Sequence, residues 1–459
     1  MPDFRGSRSL LYSEAKRLLQ LPQRVFYGWW IVSISATADA LKHGTFNRGF
    51  TFYVTPLSKE LGVGVAIVSL AEMLGRLVGG LQGPLMGWLN DKFGPRFIMV
   101  LGGGTSGLGF ILLGLTSNYI YFLLVFVGLL SLGFRAGYNN ALMPAINQWF
   151  RRHRGLAMAV AGMGSPFGGI LIAPMMGLLV YEIGWRNAAF LSGAGILVVV
   201  LPLAFFVCRS PEEKGLLPDG AKPATEPPAA TSASRPAGAA AAYRPLPGDP
   251  DFTAKEAMKT PTFWLLVWAV GLRNTVHSGM QFLLAPVIVW FLMGSGRLED
   301  DSVRLSALLV GLLSLSSLVM NPIVGWLGDN MSKQKLSAVA MIGGALSLVV
   351  LLNHSGALWQ ACLFVVLLAV SETANPLAWA IMGDFFGRRS YATLRGWQHL
   401  PDQMMSMSTP VWMGLIYDHT GSYYWALLPL AVIYGFAAVG YWVIPRPKPP
   451  VRVLAAQGA

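Results

Sequence analysis

The stretch Gly87–Arg96, GWLNDKFGPR, decides the fold, because it recurs as Gly325–Lys335, GWLGDNMSKQK. Each copy follows one long apolar run and precedes another. The copies start 238 residues apart (325 minus 87), about half of a 459-residue chain. A weaker match supports the same spacing: Asn139 with Trp149-Phe150-Arg151-Arg152 returns as Asn375 with Phe385-Phe386-Gly387-Arg388-Arg389. Two matches at one offset argue for an ancestral duplication. Duplication in an apolar chain points to a transporter, because many transporters are internal repeats around a midplane site.

Composition places the chain in a membrane. Hydrophobic residues make up 54% and charged residues only 12%, against about 25% charged in ordinary soluble domains. A helix needs about 20 apolar residues to cross the hydrocarbon core. Twelve such spans are read: Trp29–Thr55, Val65–Leu89, Phe97–Leu115, Tyr119–Ile146, Gly155–Val180, Ala188–Val207, Thr262–Leu292, Leu305–Leu327, Ser337–Leu352, Ala357–Met382, Thr393–Ile416 and Tyr423–Val443. The expected fold is an all-α membrane protein of two pseudo-symmetric six-helix bundles. The first 26 residues hold basic groups without a long apolar core, so the first span is the expected targeting signal in place of a cleavable one.

Arg209–Lys259 is the one long polar interruption, and its middle is rich in Pro and Ala. Such a composition buries too little to fold, which predicts a flexible linker. The expected domains are a cytoplasmic N-terminal segment (1–28), a first bundle (29–208), a cytoplasmic linker (209–260), a second bundle (261–444) and a cytoplasmic tail (445–459).

The formal net charge of +12 invites a nucleic-acid partner, and its distribution argues against one. About 24 Lys and Arg lie on the terminal segments and the loops after spans 2, 4, 6, 8 and 10; the opposite loops hold Lys59, Arg186, Arg297 and Arg304. Basic loops stay in the cytoplasm. Both termini are therefore expected inside, at a bacterial-type inner membrane, with a basic rim against anionic lipid. Cys208 and Cys362 stand apart and imply neither a disulfide framework nor a metal site. No phosphate-binding loop, metal cluster or nucleophile constellation is legible, so neither enzyme, cofactor nor self-contained ATP-driven pump is expected. The loops are too small for a recognition domain, which leaves a membrane sensor or scaffold as a remote alternative.

The residues of the repeated stretch resemble the signature of the major facilitator superfamily: Gly87, Asp91, Lys92, Gly94 and Arg96 match, while Pro95 departs from the usual basic residue. The second copy keeps Gly325, Asp329, Lys333 and Lys335 but has Asn330 and Ser332 where the basic residue and glycine belong. Tyr27-Gly28-Trp29-Trp30, Trp149-Phe150 with Gly155-Leu156-Ala157, and Gly184-Trp185-Arg186 resemble the monocarboxylate porter and oxalate/formate antiporter branch. The resemblance implies a 6+6 plan with spans 3, 6, 9 and 12 facing lipid. It also implies an anion-binding arginine on span 8, and Leu305–Leu327 holds none. For Gly87, Asp91, Lys92, Gly94, Arg96, Gly325 and Asp329 the expected role is a gating latch, with a topogenic turn as the plainer reading. Glycines allow the turn, and an aspartate suits a helix N-terminus.

Ionisable groups at span depth are costly and usually mark pathways. Spans 3, 5, 6, 8, 9 and 12 have none in their interiors. The others carry Asp39, Lys42, Arg48, Glu72, Arg76, Arg135, Arg273, Glu372, Arg395 and Asp402. Cations outnumber anions, which suits an anionic substrate. Arginine offers a carboxylate a permanently charged planar fork, so Arg135 and Arg273 are the leading substrate ligands. The alternative is a structural ion pair, such as Arg135 with Glu372. Asn139, Tyr138, His277 and Gln281 join them as candidate substrate contacts. Asp39, Lys42, Glu372 and Asp402 are the candidates for proton coupling. Glu72 and Arg76, four apart on one helix, are expected to satisfy each other, and Arg48 and Arg395 to sit near the membrane faces. The function expected is uptake of a small organic anion, a carboxylate, by proton symport in a monomer. Anion exchange or export of a drug or metabolite is the alternative.

Overall fold

The computed structural model describes residues 26–150, 154–217, 252–387 and 391–448. Those residues form helices and turns, and no strand occurs among them. Twelve antiparallel spans return the chain to the end of the bundle from which it started. That end is called here the terminal end, and the opposite one the far end.

Span 1 is a broken rod: an α-helix Tyr27–Leu41, a π-helical turn Lys42–Asn47 and an α-helix Thr51–Leu61. Spans 2 and 3 lie within Val65–Gly114 and reverse at Gly94, whose φ of 82° only glycine adopts freely. In the second copy of the signature, Ser332 occupies the matching place with φ −67°. The second reversal needs no left-handed residue, which is why the glycine is dispensable there. Span 4 runs Tyr119–Val125, Phe126–Ser131 (π) and Leu132–Ala136, breaks, and resumes as Asn139–Trp149. Span 5 covers Arg154–Gly162, Gly164–Phe167, Gly168–Ile172 (π) and Ala173–Glu182; span 6 is Trp185–Phe205. The second half follows as Pro261–Met293, Glu299–Asn330, Lys333–Leu351, the pair Leu358–Glu372 and Ala374–Phe386, the pair Tyr391–Ser406 and Thr409–Thr420, and Tyr424–Val443.

By length and apolarity, 10 helices qualify as membrane spans among the described residues. The two that fall short are spans 1 and 11, interrupted and loaded with polar side chains. Spans 3, 6, 9 and 12 carry exposed Leu108, Val198, Leu346 and Phe436 and no interior charge. Those faces suit lipid, as expected. Gly103 and Gly107 let span 3 lie against Val200 and Leu197 of span 6, where any Cβ would collide. Gly164 and Gly168 do the same for span 5 against the Ala36 and Ala40 carbonyls of span 1.

The linker region carries structure at both described ends. Pro211–Lys214 is a 3-10 turn. Ala254–Met258 is a short helix with a reciprocal cap, in which the Glu256 N–H donates to Thr253 Oγ1 and the Thr253 N–H to the Glu256 carboxylate. Phe252 packs on Phe386 at 5.5 Å between ring centroids. Residues 218–251, which hold the Pro- and Ala-rich stretch, lie outside the described residues.

The two halves meet closely at the far end. Asp418, near the end of span 11, accepts the Val65 and Ala66 N–H groups at the start of span 2, at 2.8 and 3.0 Å. Gly414 lies against the same turn. Lys59 pairs with Glu299, and Arg304 with Glu182 at 2.9 Å. The Ala285 N–H of span 7 donates to Thr51 Oγ1 of span 1 at 2.9 Å.

Candidate functional site

Between the halves lie three adjoining cavities of about 130, 540 and 450 Å³. Arg76 of span 2 lines all three. The last runs to Met86 and Asn90, so the cleft reaches toward the terminal end, while the far end holds the contacts between the halves and a separate cavity of about 280 Å³ lined by Thr51, Lys59, Tyr181, Pro286 and Glu299.

Broken helices put the charges here. Span 4 interrupts itself at Gly137 and Tyr138, two residues after Arg135, and Tyr138 takes φ 59°, a strained value for a bulky side chain. Span 10 carries only a one-residue irregularity at Thr373, directly after Glu372, where the backbone stays in the right-handed helical region. Glu372 follows Arg135 by 237 residues, close to the repeat spacing. The two halves thus place opposite charges at equivalent positions, beside a full break in span 4 and a slight irregularity in span 10. Interrupted spans are where transporter sites form, because freed backbone groups and side chains converge there.

On the first half, Glu72 is shared. Arg76 Nε donates to its Oε1 at 2.7 Å, and Arg135 Nη2 to the same oxygen at 3.3 Å. Arg135 Nε also donates to Ser131 Oγ at 3.0 Å. The expected pair of Glu72 and Arg76 forms, and Arg135 joins it, so two guanidiniums share one carboxylate. The alternative pairing of Arg135 with Glu372 is corrected.

Glu372 instead binds across the halves. Arg48 Nη2 donates to its Oε1 at 2.5 Å, and Ser317 Oγ to its Oε2 at 2.7 Å. Arg48 was expected near a membrane face. It lies mostly buried against Glu372, each side chain 13% exposed, directly after the π-helical turn Lys42–Asn47. Arg395 lies near the terminal end, over the Trp379 ring at 4.1 Å.

Arg273 of span 7 is 4% exposed. Its Nη1 donates to Asn274 Oδ1 at 2.5 Å, and its Nη2 to the Glu372 carbonyl at 3.4 Å. Its Nε is buried and finds no acceptor among the described residues. Asn274 passes the contact on, donating to Asp402 Oδ1 at 2.6 Å. A guanidinium with an unmet donor at a cavity wall is a place for an incoming acceptor, since an unmade buried bond costs about 1–3 kcal/mol.

Each candidate coupling carboxylate has a histidine beside it. Asp39 faces His43 at 3.6 Å, Glu372 faces His277 at 3.8 Å, and Asp402 faces His399 at 3.9 Å. Lys42 lines the cavity that Arg135 also lines. Gln281 lines the smallest cavity and His277 the largest.

Tyr138 does not reach the cleft. It is fully buried, stacks on Phe134 and shares a 2.7 Å hydrogen bond with Ser106 of span 3. The break in span 4 turns its side chain away from the side Arg135 faces. The side chains of Asn139, Asp91 and Asp329, and the surroundings of Gly87, lie outside what the structure describes. Of the other signature residues, Gly94 makes the turn and Gly325 is exposed in the last turns of span 8. Lys92 lies over the Trp88 ring at 4.9 Å, and Arg96 over Phe205 of span 6 at 4.8 Å. Sequence reading missed Arg76 as a cavity residue, along with Asn274 and Gln403. The only signal was Asn274 sitting next to Arg273.

The cleft walls therefore carry Lys42, Arg76, Arg135, Arg273 and Arg395 against Glu72 and Asp402, five cations to two anions. The description Major Facilitator Superfamily matches residues 43–296 and 274–459. The chain belongs to the major facilitator superfamily. Among curated members, it is similar to the uncharacterized MFS-type transporter YcxA of Bacillus subtilis, 24% identical over 182 residues, 40% of this chain and 45% of that one. It is also similar to the oxalate:formate antiporter of Oxalobacter formigenes, 25% identical over 324 residues, 70% of this chain and 68% of the antiporter. The chain thus spans less than half the length of the first relative and about two thirds of the second. Its fold matches a bacterial homologue of the human lysosomal transporter Spinster in an inward-facing, occupied conformation. The TM-score is 0.66 at 16% identity, covering 94% of this chain and 98% of the other. The resemblance read from the repeated signature is thereby established, and the superfamily's members here are transporters, not enzymes.

Proposed function

We propose that this protein carries a small organic anion, a carboxylate, across the bacterial inner membrane by proton-coupled symport. The observation that carries the reading is the charge imbalance of the cleft, five cations to two anions on its walls. In a low-dielectric space such a surplus attracts and desolvates an anion. Arg273 and Arg135, one from each half, hold the carboxylate, with His277 and Gln281 beside them. The three carboxylate–histidine pairs support proton coupling, each setting two titratable groups side by side. The predominance of basic residues on the terminal segments and their loops supports a cytoplasmic terminal end. With the far end clamped, the cleft then faces inward, and rocking of the halves alternates access. The cleft lies within one chain, which supports the monomer as the transport unit.

Anion exchange is the second reading, favoured by the similarity to an oxalate:formate antiporter. Uptake into proteoliposomes with a carboxylate panel, with and without an inward proton gradient, separates the two. Symport requires uptake that rises with the gradient. Uptake that ignores it but needs anion on the trans side establishes exchange. Arg273→Lys removes the planar fork and is expected to weaken anion affinity about tenfold or more. Unchanged affinity removes Arg273 as the ligand.

A further inference from the structure

Three side chains in a row join span 7 to span 11. Arg273 Nη1 donates to Asn274 Oδ1 at 2.5 Å, and Asn274 Nδ2 donates to Asp402 Oδ1 at 2.6 Å. All three line the cavity of about 540 Å³, where Arg273 and Asp402 are 4% and 8% exposed. The chemistry fixes which way round the amide sits. A guanidinium can only donate and an ionised carboxylate can only accept, so Asn274 turns its oxygen to Arg273 and its nitrogen to Asp402. Each of these bonds has a charged partner, which makes it about twice as strong as a neutral one. The amide thereby occupies a donor of the arginine that an anion would use.

We infer that Asn274 is a positioning residue that makes the grip of Arg273 on an anion depend on the protonation of Asp402. The inference rests on the anion-transport reading above and adds a route for its coupling. While Asp402 is ionised it holds Asn274 in place, and Arg273 Nη1 stays committed to the amide. A proton taken by Asp402 from water removes the charge from one end of the row and puts an O–H donor there. The bond from Asn274 Nδ2 loses its charged partner, and the new donor competes with Arg273 for Asn274 Oδ1. Nη1 is then free for an anion, in addition to the buried Nε that has no acceptor among the described residues. The linkage is reciprocal, so an anion on Arg273 favours the proton on Asp402. Other groups surround the carboxylate. His399 of its own span lies at 3.9 Å, beyond hydrogen-bond reach. Arg76 of span 2, His277 of span 7 and Arg395 of span 11 line the same cavity, and Tyr441 of span 12 feels the charge of Asp402. The short helix Ala254–Met258 packs on span 11 too, but its Lys255 and Glu256 do not line that cavity. Asn274 is the neighbour bonded to both Arg273 and Asp402.

Titration calorimetry of the full chain in nanodiscs tests the inference, with acetate and oxalate as probes at about pH 8 and about pH 5.5, where both remain ionised. The parent is expected to bind a probe about fivefold tighter or more at the lower pH. Asp402→Asn has no charge to lose and is expected to bind equally at both. Asn274→Ala is expected to bring the ratio below about twofold, and to change nothing further when combined with Asp402→Asn. Asn274→Leu, closer in shape, serves should the alanine variant fail to fold. A folded Asn274 variant that keeps the parent's ratio overturns the inference. So does a ratio lost in His399→Gln but kept in Asp402→Asn, which assigns the proton to the histidine. A parent that binds equally at both pH values overturns it as well and leaves anion transport standing. Failure of both probes to bind the parent removes the anion reading and the inference with it.

Discussion

Glu60 shows how a single charge is held at the rim of this bundle. Its carboxylate accepts Trp185 Nε1 at 2.5 Å, and Arg186 Nε and Nη2 at 2.9 and 2.6 Å, beyond the apolar band at the far end. The Arg186 hydrogen bonds, with a smaller opposing effect of burial, hold its pKa below the ordinary carboxylate value. A lowered folded pKa means that the pair's contribution is full above the carboxyl's unfolded pKa and is lost as pH falls through the folded one. Glu60→Gln is therefore expected to lower the melting temperature at neutral pH, modestly because the pair is solvated. The gap from the parent is expected to close below about pH 4. A gap independent of pH, in melting curves of purified protein, contradicts the assignment. At this scale the sequence made the lone charges visible, since a cation inside an apolar run stands out. It did not show their pairing. Arg76 reads as satisfied by Glu72 one turn away, and Arg135, 63 residues along, shares that carboxylate only once spans 2 and 4 pack.

Among the elements, the join between spans 2 and 11 is a helix cap supplied from the other half. Asp418 meets the first N–H groups of span 2, where four donors have no partner within the helix and the dipole favours negative charge. Removing a cap costs about 0.5–2 kcal/mol. This one forms only while the far end is closed, so Asp418→Ala is expected to shift the equilibrium toward the far-end-open state by about 2- to 30-fold. Labelling of Ala307→Cys, placed where span 8 packs on Gly177 in a chain with Cys208 and Cys362 replaced by serine, is expected to speed up accordingly. An unchanged rate removes the cap from the gate. Long uniform spans were legible in their apolar runs, and several boundaries agree to within a few residues. Span 8 begins at Glu299, earlier than expected, because its first turn is acidic and helical but not apolar. The breaks and π-turns of spans 1, 4 and 5 were invisible, since no local composition marks them.

For the molecule as a whole, Arg48 with Glu372 is a contact that ties the two halves. Removing one member of a buried pair leaves a charge uncompensated and costs about 3–5 kcal/mol, while replacing both with apolar groups is close to neutral. Glu372→Gln is expected to lower thermal stability markedly. The double variant Arg48→Met with Glu372→Leu is expected to recover most of it, with transport impaired in both. A double variant no more stable than the single one contradicts the pairing.

By itself the sequence determined the membrane location, the duplication, the superfamily and the charges that must be buried. These follow from composition and spacing, and lipid punishes an unpaired charge or a polar face wherever it falls. Only the tertiary structure decided which charges pair, that Tyr138 turns away, that Arg76 lines three adjoining cavities, and that Phe46, Phe50, Phe126 and Phe282 line one of them with Arg76 and Arg135. Those facts depend on side chains from different spans meeting across the halves. The repeated GWL signature marks where the chain reverses, and the geometry between the reversals sets what the cleft can hold.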